Sequence, residues 1–203
     1  MHSHSTACAA SDGASSGTAA SGARLPTPGL ILGPFYPLNP PAHANADVWL
    51  PVQGGRSRRL AVEISGRVID RTGSPVHGAM VEIWQADEDG RYAHPSAPPP
   101  TPLDAAFSGY ARLRTGDDGG YRFRTFKPGA YGEGGRRRAP HIHFQVTGLR
   151  DRQITQMFFP GEALNSEDHW FRCTRRAHDL LPRNVSAGPD HLHLIWDIVL
   201  ATG

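Results

Sequence analysis

Long apolar runs, cysteine and lysine are all scarce in this sequence of 203 residues. No apolar stretch approaches the ~20 residues that cross a bilayer, so no membrane-spanning segment is predicted. Two cysteines, Cys8 and Cys173, are too few for a disulfide framework, which favours a reducing, cytoplasmic location. Lys127 is the only lysine among 21 cations, and the formal net charge is +2, so the composition does not indicate nucleic acid as a partner.

Glycine and proline are abundant instead, with 23 and 18 residues respectively. Turns are therefore frequent, and an all-helical bundle is disfavoured as the fold class. The first 24 residues are rich in Ser, Gly and Ala, which bury too little apolar surface to offset the entropy of ordering. They also lack the apolar stretch of a secretory signal. We therefore predict a disordered N-terminal tail over 1–24 and one folded domain over 25–203.

Short segments with apolar residues at every second position follow one another through the folded domain, separated by Gly and Asp turns. Seven of these segments are predicted as strands, at 60–70, 80–86, 110–115, 121–126, 141–147, 154–159 and 192–200. A short helix that ends before Pro182 is predicted within 167–181. The pattern predicts an all-β fold, a β-sandwich with long loops and a short helix.

Two histidines, His141 and His143, lie two residues apart in the predicted strand 141–147. Side chains at i and i+2 of a strand share a face, so both imidazoles point one way and the apolar residues at the alternate positions of the strand point the other way. Two imidazoles on one face can bind one metal ion, and a merely polar sheet surface is the alternative. A second pair, His191 and His193, is the weaker candidate of the two.

The rest of a metal site at this pair is not supplied by nearby residues, because no carboxylate or thiolate follows at a spacing typical of zinc or iron(II) sites. Arg138, three residues before His141, adds positive charge, which favours anionic ligands or an anionic substrate. Tyr92 and Tyr131 lie in turns at strand ends, where sites cluster. A bound cation lowers the pKa of a phenol from about 10, so both tyrosines are candidate ligands, with half-buried packing as the alternative.

Four motifs resemble, in order, the intradiol ring-cleavage dioxygenases: GRVIDRTGSPVHGAMVEIWQADEDGRYAHP (66–95), GYARLRTGDDGGYRFRTFKPGAYG (109–132), RAPHIHFQVTG (138–148) and ITQMFFPGE (154–162). GPFYP near the start and WDIVL near the end extend the similarity over nearly everything after the tail. Four motifs in the family's order are far more specific than any one of them. Within the family, the chain resembles the catalytic subunit type of the protocatechuate enzymes.

The resemblance implies the β-sandwich of the family's catalytic core and a mononuclear non-haem Fe(III) as cofactor. Matched by motif, the implied iron ligands are Tyr92, Tyr131, His141 and His143. The resemblance also implies that Tyr131 is the ligand displaced when the substrate binds, which gives it a catalytic role in addition to its role as a ligand.

The resemblance further implies which residues contact the substrate. Arg138 and Gln156 match family residues that lie against the ring, and both are expected to act in catalysis. Tyr36, in GPFYP, is a further candidate for substrate binding, with core or interface packing as the alternative. The loop before the histidines is shorter than in the protocatechuate type and carries Arg136 and Arg137, which either meet a substrate carboxylate or form a solvated basic loop.

The predicted function is Fe(III)-dependent cleavage of a catechol-type ring by O2 to a cis,cis-muconate-type product, with protocatechuate, catechol and hydroxyquinol as the substrate classes. The expected partners are a small aromatic diol, O2, and further subunits in a homo- or hetero-oligomer, with no nucleic acid and no membrane. A transthyretin-like binding module and an accessory subunit of a hetero-oligomeric dioxygenase are the alternatives. The complete ligand set together with Arg138 favours the enzyme.

Overall fold

The structure is a computed structural model, and it describes residues 22–40, 60–97, 107–133, 136–188 and 191–203. The predicted tail over 1–24 lies outside these ranges except for its last three residues, so its disorder stays a prediction. Within the described ranges, none of the helices has the length and apolar character needed to cross a membrane.

Strands make up most of the regular secondary structure in the described part of the chain. In chain order they are β1 (Ala61–Ile69), β2 (Met80–Gln85), β3 (Tyr110–Arg114), β4 (Gly120–Phe126), β5 (Tyr131–Glu133), β6 (Arg136–Arg138), β7 (His141–Thr147), β8 (Arg152–Phe158), β9 (Arg183–Ala187), β10 (His191–Ile195) and β11 (Ile198–Val199). One short helix, α1, spans His169–Cys173, and single 3-10 turns lie at Ala163–Ser166 and Ala177–Leu180. The prediction of an all-β fold with a short helix is confirmed.

Two sheets contain nine of these strands. In the first sheet, β1 pairs with β4 in antiparallel fashion and with β10 and β11 in parallel, and β9 extends the sheet beyond β10. The second sheet is antiparallel throughout, in the order β3–β2–β7–β8. Strands β5 and β6 form a separate hairpin.

The hydrophobic core lies between the inner faces of the two sheets. Its members are buried and alternate along each strand, and they include Val62, Ile64, Val81, Ile83, Phe123, Ile142, Phe144 and Leu194. Because successive side chains of a strand point to opposite faces, the same alternation places Trp84, His141 and His143 on the outer face of the second sheet. Packing of the core therefore determines which residues are left for a site.

The sequence pattern predicts neither the β5–β6 hairpin nor β9. The hairpin strands have three residues each and no apolar alternation, and all five residues of β9 are exposed. The predicted strand over 192–200 is two strands in the structure, because the chain leaves the ladder between them. There, the backbone N–H of Trp196 bonds to the carbonyl of Ser65, and the side chain of Asp197 accepts from the backbone of Arg67.

Gly66 marks the closest approach between β1 and the link that joins β10 to β11. A Cβ atom at this position would lie 1.8 Å from the carbonyl oxygen of Trp196, which is closer than any nonbonded contact allows. The same carbonyl oxygen accepts a hydrogen bond of 2.5 Å from the hydroxyl of Tyr121, so moving it breaks that bond. A side chain is therefore excluded at residue 66 on steric grounds.

We expect Gly66→Ala to lower the free energy of unfolding by about 3 kcal/mol, because the new methyl group forces β1 away from Trp196. Unfolding in urea measures the change. Gly116→Ala is the control, because residue 116 is exposed and a Cβ atom there meets only the flexible carboxylate of Asp118, at 3.3 Å. It should change the free energy by less than about 0.5 kcal/mol. Equal stability of the two variants would contradict the steric argument.

Candidate metal centre and active site

One row of paired residues crosses the second sheet. Gln156 of β8 is paired with His143 of β7. His143 is in turn paired with Trp84 of β2, which is paired with Tyr110 of β3. The indole of Trp84 stacks on the imidazole of His143, with ring centroids 4.8 Å apart. The antiparallel register therefore holds His143, and with it His141 two residues earlier, on a rigid surface.

The imidazoles of His141 and His143 converge through their Nε2 atoms, which lie 3.1 Å apart. Nδ1 of His141 donates to the carbonyl oxygen of Ala139 at 2.6 Å, so Nε2 of the same neutral ring keeps its lone pair. Both residues are buried, at 1% and 2% exposure. Nitrogen ligands about 2.0–2.1 Å from one ion, at roughly right angles, are themselves about 3 Å apart. The spacing therefore fits a shared metal ion.

Two phenols lie beside the histidine pair. The hydroxyl oxygen of Tyr92 is 3.5 Å from Nε2 of His141. The rings of Tyr92 and Tyr131 are nearly perpendicular, with centroids 5.4 Å apart, and the ring of Tyr131 lies 5.6 Å from that of His141. The structure thus brings together all four residues that the motifs indicate as ligands, although they come from separate parts of the chain.

Asp87 connects the two turns that carry the tyrosines. Its carboxylate accepts a hydrogen bond of 2.8 Å from the backbone N–H of Arg91, which closes the turn before Tyr92. Its carbonyl oxygen accepts a hydrogen bond of 2.8 Å from the backbone N–H of Gly129, in the turn before Tyr131. The two phenols are therefore placed relative to each other by backbone hydrogen bonds.

Arg138 lies next to Tyr131, which is its partner in the β5–β6 hairpin. Its Nη1 donates to the hydroxyl of Tyr131 at 3.3 Å, its Nη2 to Oε1 of Gln156 at 2.6 Å, and its Nε to Oδ2 of Asp168 at 2.9 Å. Burial by itself lowers the pKa of Arg138, but the neighbouring Tyr131 and Asp168 outweigh burial and raise the pKa. The guanidinium is therefore charged and is held at all three nitrogens.

The segment that begins the folded domain passes over the site. The carbonyl oxygen of Ile31 accepts a hydrogen bond of 3.2 Å from Nε2 of Gln156. Gly33 has a φ of +77°, and a Cβ atom there would lie 3.1 Å from Cε1 of His143. Phe35 stacks on Tyr92, with centroids 4.5 Å apart. A side chain at position 33 would crowd the imidazole, so the glycine allows the backbone to approach His143 closely.

Tyr36 lies behind this layer. Its hydroxyl donates to Oε1 of Glu82 at 3.0 Å, and its ring packs edge-on against Trp84, with centroids 5.0 Å apart. The same carboxylate accepts from the hydroxyl of Tyr110 at 2.6 Å. Burial and the charge of Glu82 raise the pKa of Tyr36. These contacts are those of the packing alternative, and a role of Tyr36 in substrate binding stays a prediction.

The other candidate residues lie apart from the four donors. His193 is on the first sheet, where its Nε2 lies 3.1 Å from the hydroxyl oxygen of Ser65, and His191 is exposed. Arg136 and Arg137 are exposed on β6. Across the part of the chain that the structure describes, no three His, Cys, Asp or Glu side chains form a metal-binding group. The further candidate donors beside the histidine pair are the phenols of Tyr92 and Tyr131.

Sequence reasoning did not identify Asp168, Phe35 or Gly33 as site residues. Gly33 and Phe35 both belong to GPFYP, but the motif alone did not show which of its residues face the site. Asp168 precedes a short helix, and its only sequence signal is that of an N-cap residue. These contacts join residues that are far apart in the chain, so local patterns do not reveal them.

Burial lowers the pKa of both site histidines well below 6.5. For His141, burial is the largest cause, followed by the charges of Arg138 and His143, and for His143 burial is followed by Arg138. Both rings are therefore neutral near pH 7, the form that binds metal. A histidine kept neutral in the folded state binds a proton more readily in the unfolded state, so stability falls as the pH drops below about 6.5.

We expect the metal-free protein to lose stability between about pH 7 and pH 5, by up to about 1.4 kcal/mol per pH unit for each histidine. Urea unfolding over this pH range measures the slope. The double variant His141→Gln/His143→Gln should give a flatter profile, whereas His77→Gln, at an exposed position, should follow the wild type. Parallel profiles for the wild type and the double variant would contradict the burial of two neutral imidazoles.

The comparisons with known proteins agree with the geometry of the site. Residues 31–202 match the family model Dioxygenase_C, described as dioxygenase. The chain is 41% identical over 131 residues to the protocatechuate 3,4-dioxygenase beta chain of Burkholderia cepacia, covering 62% of this chain and 56% of that protein. It is 33% identical over 149 residues to catechol 1,2-dioxygenase 1 of Acinetobacter lwoffii, covering 65% of this chain and 45% of that protein. The chain thus spans about half the length of these curated relatives.

The fold shows the same relationship. The structure superposes on the dioxygenase domain of a dioxygenase carbohydrate-binding protein fusion from Streptomyces sp. SirexAA-E with a TM-score of 0.68 and 29% identity. That match covers 88% of this chain and 99% of the other. The family model covers most of this chain, and the predicted motifs and the fold agree with it. The chain therefore belongs to the intradiol ring-cleavage dioxygenase family.

Proposed function

We propose that this chain is an Fe(III)-dependent intradiol dioxygenase, which uses O2 to cleave a catechol-type ring to a cis,cis-muconate-type product. The observation that carries the proposal is the convergence of two neutral imidazoles and two phenols at one place, next to a buried arginine. Relatives named as protocatechuate, catechol and hydroxyquinol dioxygenases support it.

The donor set fits ferric iron. Phenolate oxygens are hard, anionic donors that suit a trivalent cation, and neutral imidazoles are common ligands of iron. We assign Tyr92, Tyr131, His141 and His143 as the ligands, so that two phenolates offset part of the charge. Bound there, ferric iron would withdraw electron density from a coordinated diol and make its ring reactive towards O2.

Tyr92 and Tyr131 differ in how firmly they are held. Tyr92 is 3% exposed and is stacked on Phe35, whereas Tyr131 is half-buried and begins a strand of three residues. We assign to Tyr131 the position that the substrate takes. With iron bound, the phenolate oxygen of Tyr131 would accept a proton from the incoming diol, and Nη1 of Arg138, 3.3 Å away, would donate to that oxygen and hold the phenol in place.

Arg138 supplies a fixed positive charge next to the reacting ring. The ring carbon that reacts with O2 has carbanion-like character, and a guanidinium that is already in place would stabilise this charge without reorganising. Gln156 accepts from Nη2 of Arg138 and donates to the carbonyl of Ile31, so its amide is held on both sides. In this proposal Arg138 and Gln156 contact the substrate, and Gln156 also sets the direction of the guanidinium.

The proposal includes an oligomeric state. The relative from Burkholderia cepacia is named as a beta chain. Leu25, Ile31 and Leu38 are exposed on the segment that begins the folded domain, where a neighbouring subunit would bury them.

A binding module or an accessory subunit has no need for four metal donors together with a buried arginine. Measurements of activity therefore distinguish these two alternatives from an enzyme.

The iron-loaded protein should be red-brown, because phenolate ligands transfer charge to ferric iron. We expect Tyr92→Phe and Tyr131→Phe to shift or abolish the visible absorption band per bound iron. Tyr110→Phe is the matched control, since Tyr110 is buried in the same cluster but its hydroxyl binds Glu82. A colourless protein with full iron occupancy would contradict the ligand assignment.

Oxygen uptake with catechol, protocatechuate and hydroxyquinol, each supplied alone, tests the activity and narrows the substrate. We expect at least one diol to be consumed with O2 and to give the absorption of a muconate. Arg138→Lys should lower kcat by about 100- to 1000-fold, because a lysine keeps the charge but loses the three directed contacts. Arg114→Lys, at an exposed position on β3, is the control. An iron-replete wild type that consumes no oxygen with any of the three would contradict the proposed function.

A further inference from the structure

Asp168 is fully buried and receives four hydrogen bonds from two directions. Its Oδ2 accepts from Nε of Arg138 at 2.9 Å and from the backbone N–H of Ala139 at 2.9 Å. Its Oδ1 accepts from the backbone N–H groups of Trp170 at 2.9 Å and Phe171 at 3.2 Å. One carboxylate therefore joins the first turn of α1 to the junction of β6 and β7.

The contact between Asp168 and Arg138, called here the arginine arm, determines the direction of the guanidinium. The pair between Arg138 and Asp168 is 3% and 0% exposed, so the carboxylate provides a compensating charge where water does not. With Nε held by Asp168, the outer nitrogens Nη1 and Nη2 are turned towards Tyr131 and Gln156. Without this anchor, the flexible arginine side chain has other rotamers available and its charge loses a fixed direction.

The contacts that run from Asp168 through Ala139 to His141, called here the histidine arm, lead to a proposed iron ligand. The oxygen atom of Asp168 that holds Arg138 also holds the backbone of Ala139. The carbonyl oxygen of Ala139 accepts the hydrogen bond from Nδ1 of His141, at 2.6 Å. The partner of Nδ1 orients the imidazole and therefore sets the direction of its Nε2 lone pair. A shift of Ala139 would turn His141.

We propose that Asp168 is a positioning residue of this site, which holds Arg138 and the Ala139–His141 contact in the geometry that ring cleavage requires. It acts through these two residues, and it touches neither the phenols nor the Nε2 atoms. The inference rests on the function proposed above and assigns a specific task to a residue that no motif indicated. Because Asp168 also caps α1, the test must preserve the cap.

Asp168→Asn is the most informative substitution. Asparagine is as good an N-cap residue as aspartate, so α1 can keep its cap. The variant lacks the negative charge, and it has one acceptor oxygen where the wild type uses two. Asp179→Asn is the matched control, because Asp179 also pairs with an arginine, Arg176, at 2.5 Å, but the pair is about one third exposed and does not contact the site.

The primary readout is turnover per bound iron. We expect Asp168→Asn to lower kcat by about 10- to 100-fold, as is usual when a residue that orients a metal ligand is changed. The affinity for the diol in the absence of oxygen should change by less than about threefold, because the fixed charge matters most as the ring reacts. Asp179→Asn should stay within about twofold of the wild type. An unchanged kcat per iron in Asp168→Asn overturns the arginine arm.

A double-mutant cycle shows whether the effect passes through Arg138. In an Arg138→Lys background the directed contacts are already lost, so Asp168→Asn should lower turnover by a much smaller factor than it does in the wild type. A purely structural role, or an effect through His141 alone, would lower turnover by the same factor in both backgrounds, and that result overturns the part of the inference that concerns Arg138.

A second readout does not require turnover. A chelator should remove iron from Asp168→Asn about 10- to 100-fold faster than from Asp179→Asn, because Ala139, whose carbonyl orients His141, is held less firmly. Equal release rates overturn the histidine arm. If the wild type consumes no oxygen, the proposed function fails and the release rates alone decide the role of Asp168. If the wild type is active and Asp168→Asn matches it in both readouts, only this inference fails.

Discussion

The charge of Arg138 is stable inside the protein because Asp168 faces it directly, and the rest of the site depends on this pair. Burial, and after it the guanidinium, lowers the pKa of both histidines, so they are neutral and their lone pairs are available. It also donates to the phenol of Tyr131, which belongs to the same hairpin. A buried charge that lacked its partner would destabilise the fold and would repel a metal cation. In the function proposed above, the ion pair therefore allows a cation and a fixed arginine to be neighbours.

The β-sandwich supports this arrangement because its core residues and its site residues lie on opposite faces of the second sheet. The inner faces of the two sheets form the hydrophobic core, and the outer face of the second sheet is covered by loops and by the first described segment. Strands provide the histidines and Gln156 with a fixed register, whereas Tyr92 follows a turn and Tyr131 begins the short hairpin. The half-buried Tyr131, which is the donor that the proposal releases, thus comes from the hairpin and not from either large sheet.

Much of the fold was predictable because it follows from local alternation. Strand β7 was predicted with the bounds that the structure shows, and Val81 and Ile83 of β2 lie in the core at every second position, as in a predicted strand. The hairpin and β9 were not predicted, because charged and exposed residues carry no period-two signal. The break at Trp196 was also missed, because it depends on contacts with Ser65 and Arg67, about 130 residues away.

The sequence by itself determined that His141 and His143 share a face, because the period of a strand is a property of the backbone. Its motifs also indicated the tyrosines, Arg138 and Gln156 through their resemblance to a family. Only the tertiary structure decided that these residues meet, that Phe35 and not Tyr36 stacks on Tyr92, and that Asp168 anchors the arginine. The reason is physical: backbone geometry is local, whereas burial, charge compensation and convergence of side chains arise when distant segments pack together.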